Sequence, residues 1–270
     1  MEASTILMCK PEYFNVDYEI NPWMKGNVGK AQRIKAKTQW QNLVSTIKKY
    51  ANVTFIEPQE GLPDMVFTAN GALIHKNKAI IAKFEPKQRQ GEEVFFKEWF
   101  EKQGFCVDVA SEEPFEGAGD ALFDRGKKRL WAAYGFRSSR KSHQSLAKML
   151  DVEVLSLELV DPRFYHLDTC FCPLALGYLM YYENAFSYAS QKLIEEKVPK
   201  EKLIKVSQKD AAQFALNAVN IGNTVILHKA SFHLRFQLES RGFKVEEACV
   251  DEFMKAGGST KCLTLQLNEH

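Results

Sequence analysis

The chain has 270 residues, of which 45% are hydrophobic and 12% aromatic, enough apolar material for a sizeable core. Its 36 Lys and Arg residues nearly balance its 34 Asp and Glu residues, so the net charge of +2 gives no bulk attraction to nucleic acid or anionic membranes. No apolar run reaches the roughly 18 residues that a transmembrane helix requires, so none is predicted.

The first residues, 1–9, lack the basic segment and long apolar stretch of a secretory signal. Six cysteines occur, mostly within apolar runs, and without a secretion signal we expect all except Cys262, which is considered below, to be reduced, buried thiols. These two features predict a cytoplasmic protein. No Pro-, Gly- or Ser-rich linker divides the chain, which predicts a single domain over residues 1–270.

A unit of roughly 41–52 residues recurs about five times, and each copy is an amphipathic helix, an apolar strand, a polar turn and an apolar hairpin. In the first helix, Ile34 and Leu43 are predicted to face inward, and in the second Val94 and Trp99. The five predicted helices span residues 30–50, 90–102, 138–150, 187–197 and 230–241.

Turn residues predict three hairpins, which pair 71–75 with 79–82, 121–123 with 130–133, and 217–219 with 224–227. The N-terminal strand 5–9 is expected to complete the last unit, since such pairing leaves no exposed sheet edge. The fold class is therefore α/β, with β-rich repeats and helices outside.

If the five units close on themselves, the polar turn of each unit reaches a common axis. The turns are 63–70, 115–120, 165–168, a weak copy around Asn217, and 255–262. A thiol, an imidazole and several carboxylates together are the groups of a cysteine hydrolase acting on a cation. The residues predicted to share this pocket are Asp64, Asn70, Glu116, Asp120, His166, Asp168 and Cys262.

Cys262 is the candidate nucleophile, because the preceding Gly257 and Gly258 allow close backbone approach to a ligand. A buried strand cysteine is the alternative interpretation. His166 and Asp168 are two residues apart, which on a strand places them on one face for proton transfer and substrate binding, or as a structural pair. The other histidines, at 75, 143, 228, 233 and 270, are predicted at strand edges or helix surfaces.

Glu116 and Asp120 bracket a Gly-Ala-Gly loop, and such a pair of carboxylates suits a planar cation with several donors, although a simple turn has the same composition. A metal site is the competing interpretation, but no HExxH or CxxC spacing occurs. Arg89 and Arg137 follow the first two hairpins and could each bind a substrate carboxylate, or be solvated loop arginines.

Taken in order, these turns resemble the guanidine-modifying, or amidinotransferase, superfamily over essentially the whole chain. The motifs that carry the resemblance are Pro63-Asp64 with Phe67-Thr-Ala-Asn70, Glu116-Gly-Ala-Gly-Asp120, His166-Leu-Asp168, and Gly257-Gly258-Ser-Thr-Lys-Cys262. The resemblance implies the fold of a five-bladed α/β propeller (pentein), with ββαβ-like repeats around a pseudo-five-fold axis. It also implies a small guanidino substrate, no metal or organic cofactor, and no nucleic acid or membrane partner, and it leaves a homo-oligomer open.

The resemblance further implies roles for the site residues. Cys262 attacks the guanidinium carbon and forms a covalent thiouronium, and His166 is the general acid and base. Glu116 and Asp168 bind the guanidinium, and Glu116 also orients His166. The amino-acid end of the substrate is held by Asp64, Arg89 and Arg137, while Asp120 supports its loop.

Asn70 departs from the deiminase and dimethylarginine hydrolase pattern, in which the turn ends in a carboxylate. An amide both donates and accepts hydrogen bonds, so Asn70 could retain neutral citrulline for a second hydrolysis to ornithine, carbon dioxide and ammonia. Asn21, in Asn21-Pro-Trp-Met24, also resembles the arginine dihydrolase branch and is a candidate substrate-binding residue. An arginine hydrolase of the dihydrolase type is thus expected. A deiminase, a dimethylarginine dimethylaminohydrolase, an amidinotransferase and a non-catalytic pentein binding protein are the alternatives.

Overall fold

A computed structural model describes residues 4–268, and within them fifteen strands form five three-stranded sheets. The strands are β1 Thr5–Cys9, β2 Asn52–Ile56, β3 Ala72–His75, β4 Lys78–Ile81, β5 Cys106–Val109, β6 Ala121–Phe123, β7 Arg129–Tyr134, β8 Glu153–Glu158, β9 Phe171–Leu174, β10 Tyr178–Tyr181, β11 Leu203–Lys205, β12 Val219–Ile221, β13 Thr224–Leu227, β14 Lys244–Glu247 and β15 Leu265–Gln266. The helices are α1 Arg33–Ile47, α2 Lys87–Gln90, α3 Glu92–Lys102, α4 Gly117–Asp120, α5 Arg140–Leu150, α6 Tyr188–Lys197, α7 Gln208–Ala211, α8 Phe232–Glu239 and α9 Asp251–Met254.

Four of the sheets have the same ββαβ topology. In each, an antiparallel hairpin is followed by a helix and by a third strand parallel to the second, as in β3–β4–α3–β5. The other three are β6–β7–α5–β8, β9–β10–α6–β11 and β12–β13–α8–β14. The predicted α/β repeats with interposed helices are confirmed.

The fifth sheet joins the two ends of the described chain. Strand β1 pairs antiparallel with β15, with Leu7 opposite Leu265, and parallel with β2, with Ile6 opposite Val53. The sheet therefore has the same ββαβ arrangement with α1 as its helix, and the prediction that the N-terminal strand completes the last unit is confirmed. Because Cys262 lies just before β15, this pairing also fixes the position of the candidate nucleophile.

The five main helices were predicted within three residues of their observed bounds, but two of the residues predicted to face inward are exposed. Ile34 is 86% exposed and Val94 is 49% exposed. The buried stripe of α3 instead contains Phe96 and Phe100. In α3 the predicted face is displaced by one or two residues, and each residue turns a helix by about 100°. In α1 the predicted Leu43 is buried, and only Ile34, in the first turn, lies off the inward face.

Four side chains outside the turns also differ from the predictions. Cys106 and Cys249 are exposed rather than buried. His143 is buried, with Nδ1 2.8 Å from Ser156 Oγ, and His228 is buried and accepts a hydrogen bond from the Val250 N–H. These partners satisfy the imidazole nitrogens away from water. His270 lies outside the described residues.

The third predicted hairpin is displaced by two residues. Strand β12 begins at Val219, and the turn after it is made by Gly222 and Asn223, with Gly222 at a φ of 56°. Asn217 therefore precedes the strand and is buried. Among residues 4–268, no helix is long and apolar enough to cross a membrane.

Candidate active site

Four of the predicted site residues lie just before the first strand of a sheet. Asn70 lies two residues before β3, and Asp120 lies immediately before β6. Asp168 and Cys262 lie three residues before β9 and β15, respectively. Short helical turns bury these positions at the strand entrances. A small cavity opens beside Asn70 and Cys262, and its lining also includes Asn21, Asp64, Arg89, Arg137 and Tyr165.

Cys262 and Asp168 form a buried pair. The Sγ atom lies 3.3 Å from Asp168 Oδ2 and 3.6 Å from Oδ1. Burial and the neighbouring carboxylate raise the pKa of the Cys262 thiol well above its usual range, and burial raises the pKa of Asp168 to about 7. In the free protein the pair is therefore poised toward a neutral thiol, because neither negative charge is solvated.

His166 lies against Glu116 rather than beside Asp168. Its Nε2 is 2.6 Å from Glu116 Oε2, and both groups are buried. The prediction that His166 and Asp168 share a strand face was wrong, because residues Leu167–Thr169 form a 3-10 turn that directs the two side chains to different partners. Burial opposes ionisation of Glu116, but Arg137 and His166 lower its pKa to about 2.

The contacts of Asn70 and Glu116 favour one tautomer of a neutral His166 ring. Its Oδ1 accepts a hydrogen bond from Arg89 Nη1 at 2.8 Å, so its Nδ2 faces His166 Nδ1 at 3.4 Å. A neutral imidazole has one donor and one acceptor nitrogen. With Glu116 accepting from Nε2, the Nδ1 atom is the acceptor and carries the free electron pair. Gly119 allows this approach, because a Cβ there would overlap Asn70 Nδ2.

Arg89 is buried and multiply bonded, not a solvated loop residue. Its Nε and Nη2 donate to the two carboxylate oxygens of Glu92 at 2.8 Å each, and Nη2 also donates to the backbone oxygen of Asp64. Burial raises the pKa of Glu92 to about 7 despite the guanidinium. Most of the Arg89 donors are thus used within the protein, and they hold Asn70 in place.

Arg137 is also buried, with three kinds of contact. Its Nη1 donates to Glu116 Oε2 at 3.0 Å, and its Nη2 donates to the backbone oxygen of Ile20 at 2.8 Å. The guanidinium carbon lies 4.7 Å from the centre of the Tyr165 ring. The alternative of a solvated arginine is therefore excluded for both candidates.

Asp64 presents a free acceptor at the cavity. Its Oδ2 accepts a hydrogen bond from the Tyr18 hydroxyl at 2.9 Å, whereas the buried Oδ1 has no hydrogen-bond partner. Burial raises the pKa of Asp64, and Arg89 opposes this. An unpaired buried carboxylate oxygen beside a cavity is a place for a cationic donor of a ligand.

Asp120 and Asn21 bond to the protein around the site. Asp120 accepts from Ser138 Oγ at 2.6 Å and from the Leu167 N–H at 3.1 Å, next to His166. Asn21 borders the cavity, but its Nδ2 donates to the Ala256 oxygen and its Oδ1 accepts from the Trp23 and Met24 N–H groups. Both side chains thus fix loops that border the cavity.

Asn217 is the residue that the sequence interpretation missed. Its Nδ2 lies 3.1 Å from Cys262 Sγ, so the fourth unit does contribute to the site. Asparagine is common in turns, and its type alone gave no signal. A usable signal was its position: it stands just before the first strand of its sheet, as Asn70 and Asp120 do.

In the part of the chain that the structure describes, no group of three or more His, Cys, Asp or Glu side chains is arranged to hold a metal ion. The carboxylates of the site are instead engaged by protein donors or face the thiol.

The family model described as "N,N dimethylarginine dimethylhydrolase, eukaryotic" matches residues 10–269. The chain belongs to this family. The predicted guanidine-modifying superfamily is thereby confirmed.

Among the relatives, the chain is 53% identical over 264 residues to the bifunctional arginine dihydrolase/ornithine cyclodeaminase AgrE of Nostoc sp., covering 97% of this chain and 38% of AgrE. It is 39% identical to the N(G),N(G)-dimethylarginine dimethylaminohydrolase of Mycobacterium tuberculosis, covering 97% and 85%. The chain thus spans 38% of the length of the cyanobacterial bifunctional relatives it matches.

Two crystal structures of the N-terminal domain of cyanobacterial ArgZ, an arginine dihydrolase, match with a TM-score of 0.97 and 52% identity, covering 98% of each chain. One is a cysteine-to-serine variant bound to substrate. The other is an asparagine-to-serine variant covalently bound to a reaction intermediate.

The raised pKa of Asp168 predicts a pH-dependent stability. Between the ordinary value of 3.8 and about 7 the folded state holds a proton that the unfolded state has released, so the contribution of Asp168 to the free energy of unfolding decreases as pH rises. Asp168→Asn removes this dependence. We expect the variant to lose less stability than the unmodified chain from pH 5 to 7, by up to about 1.4 kcal/mol per pH unit.

Urea unfolding at several pH values measures this difference. The control is Asp151→Asn, because a hydrogen bond from Lys128 lowers the pKa of the exposed Asp151 below 3.8, outside the tested window. The free energy of unfolding of this control should change with pH as it does in the unmodified chain. If the free energy of unfolding of Asp168→Asn changes with pH in the same way as that of the unmodified chain, the predicted protonation of Asp168 is contradicted.

Proposed function

We propose that the chain is a cysteine-dependent hydrolase that converts arginine to ornithine, carbon dioxide and two ammonia through a covalent thiouronium on Cys262. The observation that carries this proposal is the arrangement of Cys262 beside Asp168, and of His166 between Glu116 and an amide, Asn70. A carboxylate next to the thiol attracts a guanidinium cation, and the amide beside the imidazole leaves its Nδ1 unprotonated.

We infer that the five sheets are the blades of a five-bladed α/β propeller (pentein), with residues 1–270 as one domain. The support is a set of contacts among the five polar turns. Asp120 accepts from Leu167 N–H, Asn70 faces His166, and Asn217 donates to the backbone oxygen of Asp168. Asn217 also contacts Cys262, whose oxygen accepts from Ala69 N–H at 3.2 Å. These contacts connect the last turn back to the first.

The substrate itself would activate the nucleophile. A guanidinium placed against Asp168 brings a positive charge to the thiol and lowers its pKa. The thiol proton passes to His166 Nδ1, and the Cys262 thiolate attacks the guanidinium carbon. When the tetrahedral centre collapses, one nitrogen leaves as ammonia with the proton from His166, and the carbon remains bonded to sulfur as a thiouronium.

Water completes the first hydrolysis. His166 Nδ1 takes a proton from the water, the hydroxyl adds to the thiouronium carbon, and the carbon–sulfur bond breaks to regenerate Cys262 and give citrulline. Glu116 bonds to His166 Nε2 throughout and stabilises the imidazolium that forms transiently. Its other oxygen accepts from the Glu85 N–H, so Glu116 orients His166 rather than binding the guanidinium directly.

Asn70 supports the second hydrolysis, because citrulline is neutral and its ureido oxygen is an acceptor. The Asn70 Nδ2 can donate to such an oxygen, whereas a carboxylate at this position would repel it. The same cycle at Cys262 then releases a second ammonia and leaves a carbamoyl group on the sulfur. Water hydrolyses this group to the carbamate of ornithine, which loses carbon dioxide.

Asp64, Arg89 and Arg137 are proposed at the amino-acid end of the substrate, with Asn21 at the cavity rim. The unpaired Asp64 Oδ1 suits the α-ammonium group, and Arg137 faces the same cavity. Because Glu92 and Asn70 already occupy most of the Arg89 donors, Arg89 is expected to contribute mainly through its charge and by holding Asn70.

A dimethylarginine dimethylaminohydrolase is the second candidate, supported by the family match and by the mycobacterial relative. It would release dimethylamine and citrulline from dimethylarginine at the same Cys262. The Asn70 amide favours arginine, because a reaction that ends at citrulline gains nothing from a group that retains citrulline.

Product analysis separates these candidates. With arginine, we expect one ornithine and two ammonia per substrate consumed, quantified by mass spectrometry and an ammonia assay. Cys262→Ser should lower the rate by at least about a thousandfold, because a hydroxyl is a far weaker nucleophile here. Stoichiometric citrulline as the end product, or faster release of dimethylamine from dimethylarginine, would contradict the dihydrolase proposal.

Asn70→Asp tests the second hydrolysis separately. The aspartate would still accept from Arg89 Nη1, but it would place a charge beside His166 Nδ1 and the ureido oxygen. We expect citrulline to accumulate and the rate of ornithine formation from added citrulline to fall at least about tenfold. If Asn70→Asp still forms ornithine at the original rate without citrulline release, the role given to Asn70 is wrong.

A further inference from the structure

The Asn217 side chain contacts both the sulfur of Cys262 and the backbone of the loop that carries it. Its Nδ2 lies 3.1 Å from Cys262 Sγ and donates to the backbone oxygen of Asp168 at 3.0 Å. Its Oδ1 accepts from three backbone N–H groups of the loop that carries the thiol, at 3.0 to 3.1 Å; they belong to Ser259, Lys261 and Cys262. The side chain is fully buried, so bulk water does not compete for either end.

Building on the proposed role of Cys262, we propose that Asn217 is a further catalytic residue whose side-chain N–H stabilises the Cys262 thiolate while its carbonyl oxygen holds the loop that carries the sulfur. Burial and Asp168 raise the pKa of this thiol, whereas the Ser259 backbone N–H and the Asn217 amide lower it. The Asn217 amide is thus a preorganised donor at the sulfur, and such a donor favours the charged form.

Holding the loop that carries the thiol does not by itself require an amide. The three backbone N–H groups of the loop need only an acceptor, and a carboxylate oxygen accepts them at least as well. Only the donor half of the side chain distinguishes asparagine from aspartate at this position. Asn217→Asp therefore keeps the acceptor, removes the donor to Sγ and to the Asp168 backbone oxygen, and places a negative charge where the thiolate forms.

Asn220 provides a matched control three residues away. It is also buried, its Oδ1 accepts from the Ala175 N–H at 2.7 Å, and its Nδ2 donates to the oxygens of Gly222 and Thr224. Asn220→Asp thus makes the same chemical change to a buried and fully bonded amide in β12. None of its hydrogen bonds involves Cys262.

The rate of Cys262 alkylation by iodoacetamide as a function of pH tests the proposal without using arginine. The exposed Cys106 and Cys249 are first replaced by serine, and alkylation is followed on the Cys262 peptide by mass spectrometry. Because the rate follows the thiolate fraction, we expect Asn217→Asp to slow alkylation at about pH 9 at least tenfold and Asn220→Asp less than twofold. Circular dichroism and thermal unfolding confirm that each variant is folded.

Unchanged alkylation in folded Asn217→Asp, or an equal decrease in both variants, would overturn the proposal. If Asn217→Asp does not fold, the side-chain amide resonance of Asn217 is followed by ¹⁵N NMR in the otherwise unmodified chain and in Cys262→Ala. The proposal is supported if the chemical shift of this resonance changes with pH at the same midpoint as the alkylation rate and does not change in Cys262→Ala. A pH-dependent change that persists in Cys262→Ala overturns it. If the unmodified chain turns over arginine but alkylation is unaffected in Asn217→Asp, only the inference on Asn217 is refuted. If alkylation is slowed in Asn217→Asp but the unmodified chain does not turn over arginine, only the proposed function is refuted.

Discussion

The structure depends on one constraint: the polar turn that leads into the first strand of each sheet is buried, so its polar groups must find partners in other turns. Buried polar groups are nearly always hydrogen-bonded, because leaving one unpaired costs about 1–3 kcal/mol. Here the Asp120 carboxylate accepts a hydrogen bond from the Leu167 N–H, and the Asn217 side-chain oxygen accepts hydrogen bonds from three N–H groups of the Cys262 loop. The same bonds that satisfy the turns bring a thiol, an imidazole and carboxylates together.

Charge is compensated within this buried region in a way that leaves only a few functional groups free. Glu92 is occupied by Arg89, and Glu116 is occupied by Arg137 and His166. The groups that remain available to a ligand are the unpaired oxygen of Asp64, the Asp168 carboxylate and the Cys262 sulfur. Both ends of the site can therefore bind a cation, which suits the ammonium and guanidinium groups of the proposed substrate, arginine.

Much of the fold could be predicted from the sequence, because the helix and hairpin signals repeat and each is local. The β1 pairing with β15 was predictable from the need to cover strand edges. Side-chain direction was less accessible: the 3-10 turn after His166 separates it from Asp168, which strand alternation had placed on one face. The burial of Arg89 could not be predicted without its partner Glu92, and the role of Asn217 could not be inferred from a residue type so common in turns.

The most direct test of this account is rapid-quench mass spectrometry of the protein mixed with arginine. We expect a transient adduct on the Cys262 peptide whose mass equals arginine minus ammonia, which appears before ornithine and is absent in Cys262→Ser. Ornithine formation with no such adduct at any quench time, or an adduct on another residue, would contradict covalent catalysis by Cys262.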